Sequence, residues 1–237
     1  MKVLVVPRRF RGPAESGNGG WTAGALAELL GEGDAVEVTL RMPPPLELAM
    51  PVEPADGRLT ARLEERAVAE ARAVADGLVA VEAVLPEVAR AAETTYAGLR
   101  SHPFPTCFSC GTGREPGDGL RIFPGFVAAN RVAATWTPDD SVADPDRPGR
   151  ATGPVTWAAL DCVGGWAADV ADRPMVLGRM TAAVDALPHV GDRHVAVGEV
   201  RGTDGRKTFT ASTLYDPDGR VVGRAEHVWI TIDPSTF

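Results

Sequence analysis

Asp161 stands in the middle of WAALDCVGGWA, an otherwise apolar stretch of helical composition. An ionised carboxylate among apolar side chains is costly unless it has partners or a task, so this residue asks for a chemical explanation. A carboxylate so placed can deliver a water molecule as a base or act as a nucleophile. By residue type alone, a solvent-facing position or a bond to a neighbouring side chain is the commoner explanation.

Cys107 and Cys110 form a Cys-x-x-Cys pair, which invites a metal or redox reading. Zinc needs about four ligands, and only His102 lies near in sequence, so a closed site lacks a visible fourth member and no metal is expected. A redox pair would sit beside a strand-helix-strand unit, which does not surround this one. The pair therefore reads as structural. Cys162 follows Asp161 directly and should face about 100° away from it on a helix. With no His at a recognisable spacing, it reads as a buried core cysteine rather than a nucleophile. The histidines at 102, 189, 194 and 227 are scattered, and His194 and His227 read as ordinary sheet residues.

The elements that must position these residues follow from period and punctuation. The run KVLVVP, bounded by Pro7, is short enough for a strand; a turn-rich RGPAESGNGG leads into WTAGALAELL, whose apolar spacing is helical and stops at Gly31. AVEVTLR then alternates, LELAMPVE follows three prolines, and Asp56-Gly57 signals a hairpin into RLTARL. Residues 64–77 suit either helix or strand, and strand is the preferred reading. The stretch VEAVLPEVARAAETTYAGL predicts a helix, and HPFPTCFSCGTGREPGDG a loop. GLRIFPGF and RVAATW predict a strand pair, residues 137–152 a loop, and PVTWAALDCVGGWAADV a helix with Pro154 in its first turn. Four strands follow, from VLGRMTAAV to RVVGRAEHVWITI. Each half thus reads as a strand, a Gly-rich loop, one helix and about four strands, an internal repeat in element order.

That order, with RRFRGP and GNGGWTAGALAELL in the first half and CFSCG, GDGLRIFPG and TGPVTWAALDCVGGWA in the second, resembles the double-hotdog acyl-CoA thioesterases. The last motif is similar to the His-Gly-Gly-(six residues)-Asp pattern of the phenylacetyl-CoA thioesterase branch, with Gly153 eight residues before Asp161. The resemblance implies an α+β fold of two hotdog units in tandem, each an antiparallel sheet wrapped around a central helix. Residues 1–100 would form the first unit with a trailing helix, 101–117 a linker carrying the Cys-x-x-Cys loop, and 118–237 the second unit.

The same resemblance implies thioester hydrolysis by a helix carboxylate and a backbone N–H at a helix N-terminus, where unpaired N–H groups and the macrodipole favour an oxyanion. Asp161 matches the carboxylate, and Gly19 and Gly20 match the donor loop of the other unit, with Asn18 as a polar neighbour. In the first half, Ala27 stands where the carboxylate would be, and Glu28 is about 100° further round. In the second, Pro154 contributes no N–H. One composite site per chain is expected, its counterpart degenerate. An alternative register, aligning Gly-Gly-Trp at 19–21 with that at 164–166, would dissolve this match. Trp21 and Trp157 would fill the core or line an acyl tunnel, and Thr181 with Arg179 would orient water or meet CoA phosphates. No cofactor is expected.

The remaining alternatives are a non-catalytic hotdog protein binding an acyl or aromatic ligand and, less well supported, a hydratase or dehydratase. The latter resembles a pattern with Asp and His a few residues apart, whereas Trp166 stands five after Asp161. With 24 Lys+Arg against 32 Asp+Glu the net charge is -8, and no basic run appears, which argues against nucleic acid. Anionic CoA or an acyl-carrier thioester would have to be met by local cations such as Arg8, Arg9 and Arg11. No apolar run reaches the ~18 residues needed to span a bilayer, and the N-terminal run is too short for a signal peptide, so a cytoplasmic protein is expected. The double unit could dimerise further.

Overall fold

Alternating apolar and polar residues set the strands that dominate the regular structure of the chain. The computed structural model describes residues 2–31, 33–168 and 170–233. In the first half lie β1 (Lys2–Leu4), α1 (Gly19–Leu30), β2 (Ala35–Leu40), β3 (Met50–Ala55), β4 (Arg58–Leu63) and β5 (Arg66–Val74). After α2 (Pro86–Ala92) come β6 (Gly125–Ala128), β7 (Arg131–Trp136), α3 (Gly153–Trp166), β8 (Met175–Val184), β9 (His194–Asp204), β10 (Lys207–Tyr215) and β11 (Val221–Thr231). No helix among the described residues is long and apolar enough to cross a membrane.

The eleven strands of the described residues join one antiparallel sheet in the order β1-β3-β4-β5-β2-β8-β11-β10-β9-β7-β6. Read outward from the centre, β2-β5-β4-β3-β1 on one side matches β8-β11-β10-β9-β7 on the other, with β6 added at the far edge. The halves meet where β2 pairs with β8, Val36 opposite Ala182 and Thr39 opposite Arg179. Helix α1 lies against β2, β4 and β5, α3 lies against β7 to β11, and the two helices pack on each other. The main apolar core runs through both halves.

Local chemistry sets the element ends. Asn18 caps α1 by accepting the Trp21 N–H at 2.8 Å, and Gly31, at φ +94°, ends the helix in a conformation that suits glycine. Thr152 caps α3 by accepting the Val155 N–H, and Pro154 occupies the first turn, where its missing N–H costs nothing. At the predicted hairpin Asp56 and Gly57 both take positive φ, 50° and 73°, which a tight two-residue turn requires. Residues 66–74 are strand, as preferred: they pair on both sides, with β2 and β4.

Two expectations fail. The helix predicted across residues 81–99 is confined to α2, with 3-10 turns at Glu93–Thr95 and Ala97–Leu99. Before it the chain is extended, because the Val81 N–H donates to Thr213 Oγ1 and its carbonyl accepts the Tyr215 hydroxyl. This segment covers the outer face of β7, β9 and β10 and makes a second small core there. The strand predicted at GLRIFPGF begins only at Gly125. Residues 119–124 instead dock on the cysteine loop, with Leu120 N–H to Phe108 O at 2.8 Å and Ile122 N–H to Ser109 O at 2.9 Å.

Candidate active site

The two helices approach closely because small residues line their contact. A Cβ on Gly20 would lie 2.4 Å from Asp161 Cβ, and one on Gly24 would lie 2.7 Å from Trp157 Cβ. This crossing brings the N-terminus of α1 onto the middle of α3. Asp161 Oδ2 accepts the Gly20 N–H at 2.9 Å and the Asn18 amide at 3.2 Å. Asp161 is 2% exposed, and its Oδ1 has no hydrogen-bond partner. Burial pushes its carboxyl up to about 7; the nearby Cys107 sulfur adds to this, while Gly20 and Asn18 oppose it.

In the first turn of α1 the Trp21 N–H is taken by the Asn18 side chain, the Thr22 N–H by the Asn18 carbonyl, and the Gly20 N–H by Asp161. The Gly19 N–H meets no acceptor among the described residues. It sits at the positive end of the helix, beside a cavity of about 240 Å³ lined by Asn18, Gly19, Asp161, Cys162, Leu177 and Trp229, among others. Phe104, Met42 and Pro44 extend the apolar wall.

The cysteine loop belongs to this site, which sequence reading missed. The Asn18 amide also reaches Ser109 Oγ at 3.2 Å and lies 3.7 Å from Cys107 Sγ. Cys162 approaches Cys107 with sulfurs 3.6 Å apart, and Cys107, Cys110 and Cys162 all lie within 4.8 Å of one another. The thiols share protons unequally. S–H donation from Cys110 and Cys162 holds Cys107 well below the usual thiol range; burial pushes Cys110 up, and donation to Cys107 pushes Cys162 up. The one signal available in advance was the position of Cys162 directly after Asp161.

The other predicted residues lie elsewhere. Trp21 stacks on Phe10, ring centroids 4.3 Å apart, and Trp157 is buried against Gly24; neither lines the cavity around Asp161. Thr181, opposite Glu37 in the β2–β8 pairing, lines a separate groove with Arg179 and Arg201. Arg9 is occupied by the carbonyls of Gly117, Asp118 and Ser141, and Arg8 pairs loosely with Glu15 at 3.8 Å. Arg41 is a cation on the cavity wall, and it is paired with Glu70 at 2.6 Å.

At the N-terminus of α3 the arrangement differs. With the caps Asn18 and Thr152 equated, Pro154 takes the place of Gly20 and Ala27 the place of Asp161. Gly164 and Gly165 lie at the far end of α3, against Thr210, His227 and Trp229, so aligning them with Gly19 and Gly20 would equate opposite helix ends. Ala27 is buried, and Glu28 turns to the surface toward Arg147 at 3.6 Å.

No family model and no curated protein matches this chain. Solved structures do. A tesB protein from Mycobacterium avium subs paratuberculosis aligns over 98% of this chain and 92% of its own, with 15% identity and a TM-score of 0.59. A conserved protein of unknown function with a hotdog fold from Alicyclobacillus acidocaldarius aligns over 98% of this chain and 93% of its own, with 13% identity and a TM-score of 0.56. The fold is a double hotdog. Within it, β1 to β5 around α1 and β7 to β11 around α3 are the repeated hotdog units, and Asp161 and Gly20 meet across the helix pair that joins them.

Proposed function

We propose that this double-hotdog protein hydrolyses an acyl thioester, acyl-CoA being the reference substrate, in one composite site between its units. The observation that carries this is the pairing of a buried, half-satisfied carboxylate from α3 with an unoccupied N–H at the start of α1, on one cavity. Gly20 and Asn18 hold Asp161 Oδ2, so Oδ1 is the oxygen left to receive a proton. Water attacks the thioester carbonyl as its proton passes to Asp161. The carbonyl oxygen becomes an oxyanion that accepts the Gly19 N–H, and the C–S bond then breaks with the proton returned to the departing thiolate.

A cavity of about 240 Å³ is smaller than the ~300–1,000 Å³ of sites that swallow a whole ligand of drug size. It suits the thioester and a compact acyl group, with the rest of the carrier outside. The apolar wall of Phe104, Leu177 and Trp229 favours an aliphatic or aromatic acyl chain over a polar one. The deciding experiment follows thiol release from short, long and aromatic acyl-CoAs by the wild type and by Asp161→Ala. Hydrolysis of at least one substrate, lost in the variant, is expected. Hydrolysis of none, or equal activity in the variant, ends the proposal; tight binding without turnover would replace it with an acyl-binding role.

A further inference from the structure

The fold assembles three thiols that sequence spacing keeps apart. Cys107 and Cys110 come from one loop and Cys162 from α3, 55 residues beyond Cys107. All three are free, and Cys107 and Cys110 are buried. Tetrahedral zinc holds sulfur at ≈ 2.3 Å, which places neighbouring sulfurs roughly 3.8 Å apart. The Cys107–Cys162 separation of 3.6 Å already meets this, and none of the three sulfurs is more than 4.8 Å from another.

The loop is built to present its two sulfurs. The Gly111 N–H donates to the Cys107 carbonyl at 2.9 Å, and a Cβ at Gly111 would lie 2.5 Å from that oxygen, so the turn closes only on glycine. Bonds from the Phe108 N–H to the Arg11 carbonyl and from Leu120 and Ile122 N–H to the loop carbonyls anchor it on both sides. The Asn18 amide, 3.7 Å from Cys107 Sγ and 3.9 Å from Cys162 Sγ, supplies a donor of the kind that supports coordinating thiolates. His102 is committed elsewhere: its Nδ1 accepts the Phe104 N–H and its Nε2 bonds the Cys110 carbonyl, so it orients the loop rather than adding a ligand. Cys107 and Cys162 both line the cavity that holds Asp161.

We propose that Cys107, Cys110 and Cys162 form a three-thiolate site for a thiophilic d10 cation, Zn²⁺ or Cu⁺, with its remaining face open to the cavity. Soft thiolate sets select these ions, and three protein ligands with an open position are the arrangement of a reactive rather than a purely structural site. Nothing in this depends on the thioesterase reading, because its test reads metal rather than turnover.

Full-length protein isolated under reducing conditions is assayed for metal by mass spectrometry, then stripped and titrated with Zn²⁺, with Cu⁺, and with Co²⁺ as a spectroscopic probe. One ion per chain and a sulfur-to-cobalt charge-transfer band are expected, and competition between Zn²⁺ and Cu⁺ identifies the resident ion. Cys110→Ser and Cys162→Ser should each lower affinity more than about tenfold and weaken the band, because each removes a ligand outright, whereas loss of a group that only hydrogen-bonds a ligand already costs about 10- to 100-fold. Should either variant fail to fold, the wild-type titration alone decides. Cooperatively folded wild type with no bound metal and no cobalt band overturns the proposal, as does a Cys107–Cys162 disulfide in freshly isolated protein.

Discussion

The N-termini of α1 and α3 occupy equivalent places in the two hotdog units, yet only one carries a constellation suited to chemistry. At α1 a Gly-Gly start leaves N–H groups free to point outward, and α3 answers with Asp161. At α3 the corresponding position is Pro154, without an N–H, and α1 answers with Ala27. The same packing problem, two helices crossing at small residues, is solved by glycine on one side and by proline against glycine on the other. Fold symmetry constrains backbone and volume, and leaves the polar groups free to diverge.

The largest test of that contrast is on activity. Asp161→Asn should lower thioester hydrolysis roughly 100- to 10,000-fold, the usual contribution of a positioned acid or base. Adding Ala27→Asp to this variant should recover nothing, since Pro154 has no N–H to hold the new carboxylate as Gly20 holds Asp161; restored turnover would show the second site to be merely unfurnished.

A second test concerns acid. Every histidine lies beyond residue 100, and His227, buried beside Gly164, is pushed down to about 4, chiefly by burial. It is neutral when folded, whereas the unfolded chain binds its proton near pH 6.5. At this site the unfolded state therefore takes up more protons between these values, and the contribution of His227 to stability falls by about 3 kcal/mol as pH drops from 6.5 toward 4. Asp161, pushed up to about 7, keeps its proton in the folded state and acts in the opposite sense over much of the same range, so the His227 loss is read in urea unfolding at a series of pH values as the difference between the wild type and His227→Gln.

Third, Gly20→Ala forces a methyl to within 2.4 Å of Asp161 Cβ and 2.8 Å of the Trp157 carbonyl, and should cost ~1–3 kcal/mol in thermal unfolding. Gly153→Ala, whose methyl meets only the exposed Glu28 carboxylate at 3.4 Å, should be nearly neutral. Equal losses would erase the distinction between the two helix starts. Smallest of all, Glu28→Ala breaks an exposed pair with Arg147 and should change stability by less than ~0.5 kcal/mol, with activity unaltered.

Much of this was legible in the residues. Period changes and Gly/Pro punctuation located both long helices and the four strands after each, and the apolar surroundings of Asp161 marked it. Asn18, Gly19 and Gly20 came from the resemblance to the His-Gly-Gly pattern, in the register that puts a Gly-rich loop ahead of each helix. The failures share one cause: their determinants are distant in sequence. Residues 81–85 look helical by composition but are extended because Thr213 and Tyr215 bind their backbone, and residues 119–124 look like strand but bind the cysteine loop. Cys162, which reads as a buried core cysteine turned about 100° from Asp161, is only half-buried and lines the same cavity, its sulfur 4.0 Å from Asp161 Oδ2; that Cys107 would lie there could not be seen from periodicity.

The hydrogen bond from Gly20 to Asp161 joins residues 141 apart in one chain. In an assembly of separate subunits such a contact dissolves on dilution, whereas here its two ends stay at an effective concentration set by the tether between them. The arrangement should therefore persist at any protein concentration. It also completes late: a nascent chain still lacking Asp161 has no partner for Gly20, so this corner of the molecule is assembled only after long-range closure, the slow class of folding event.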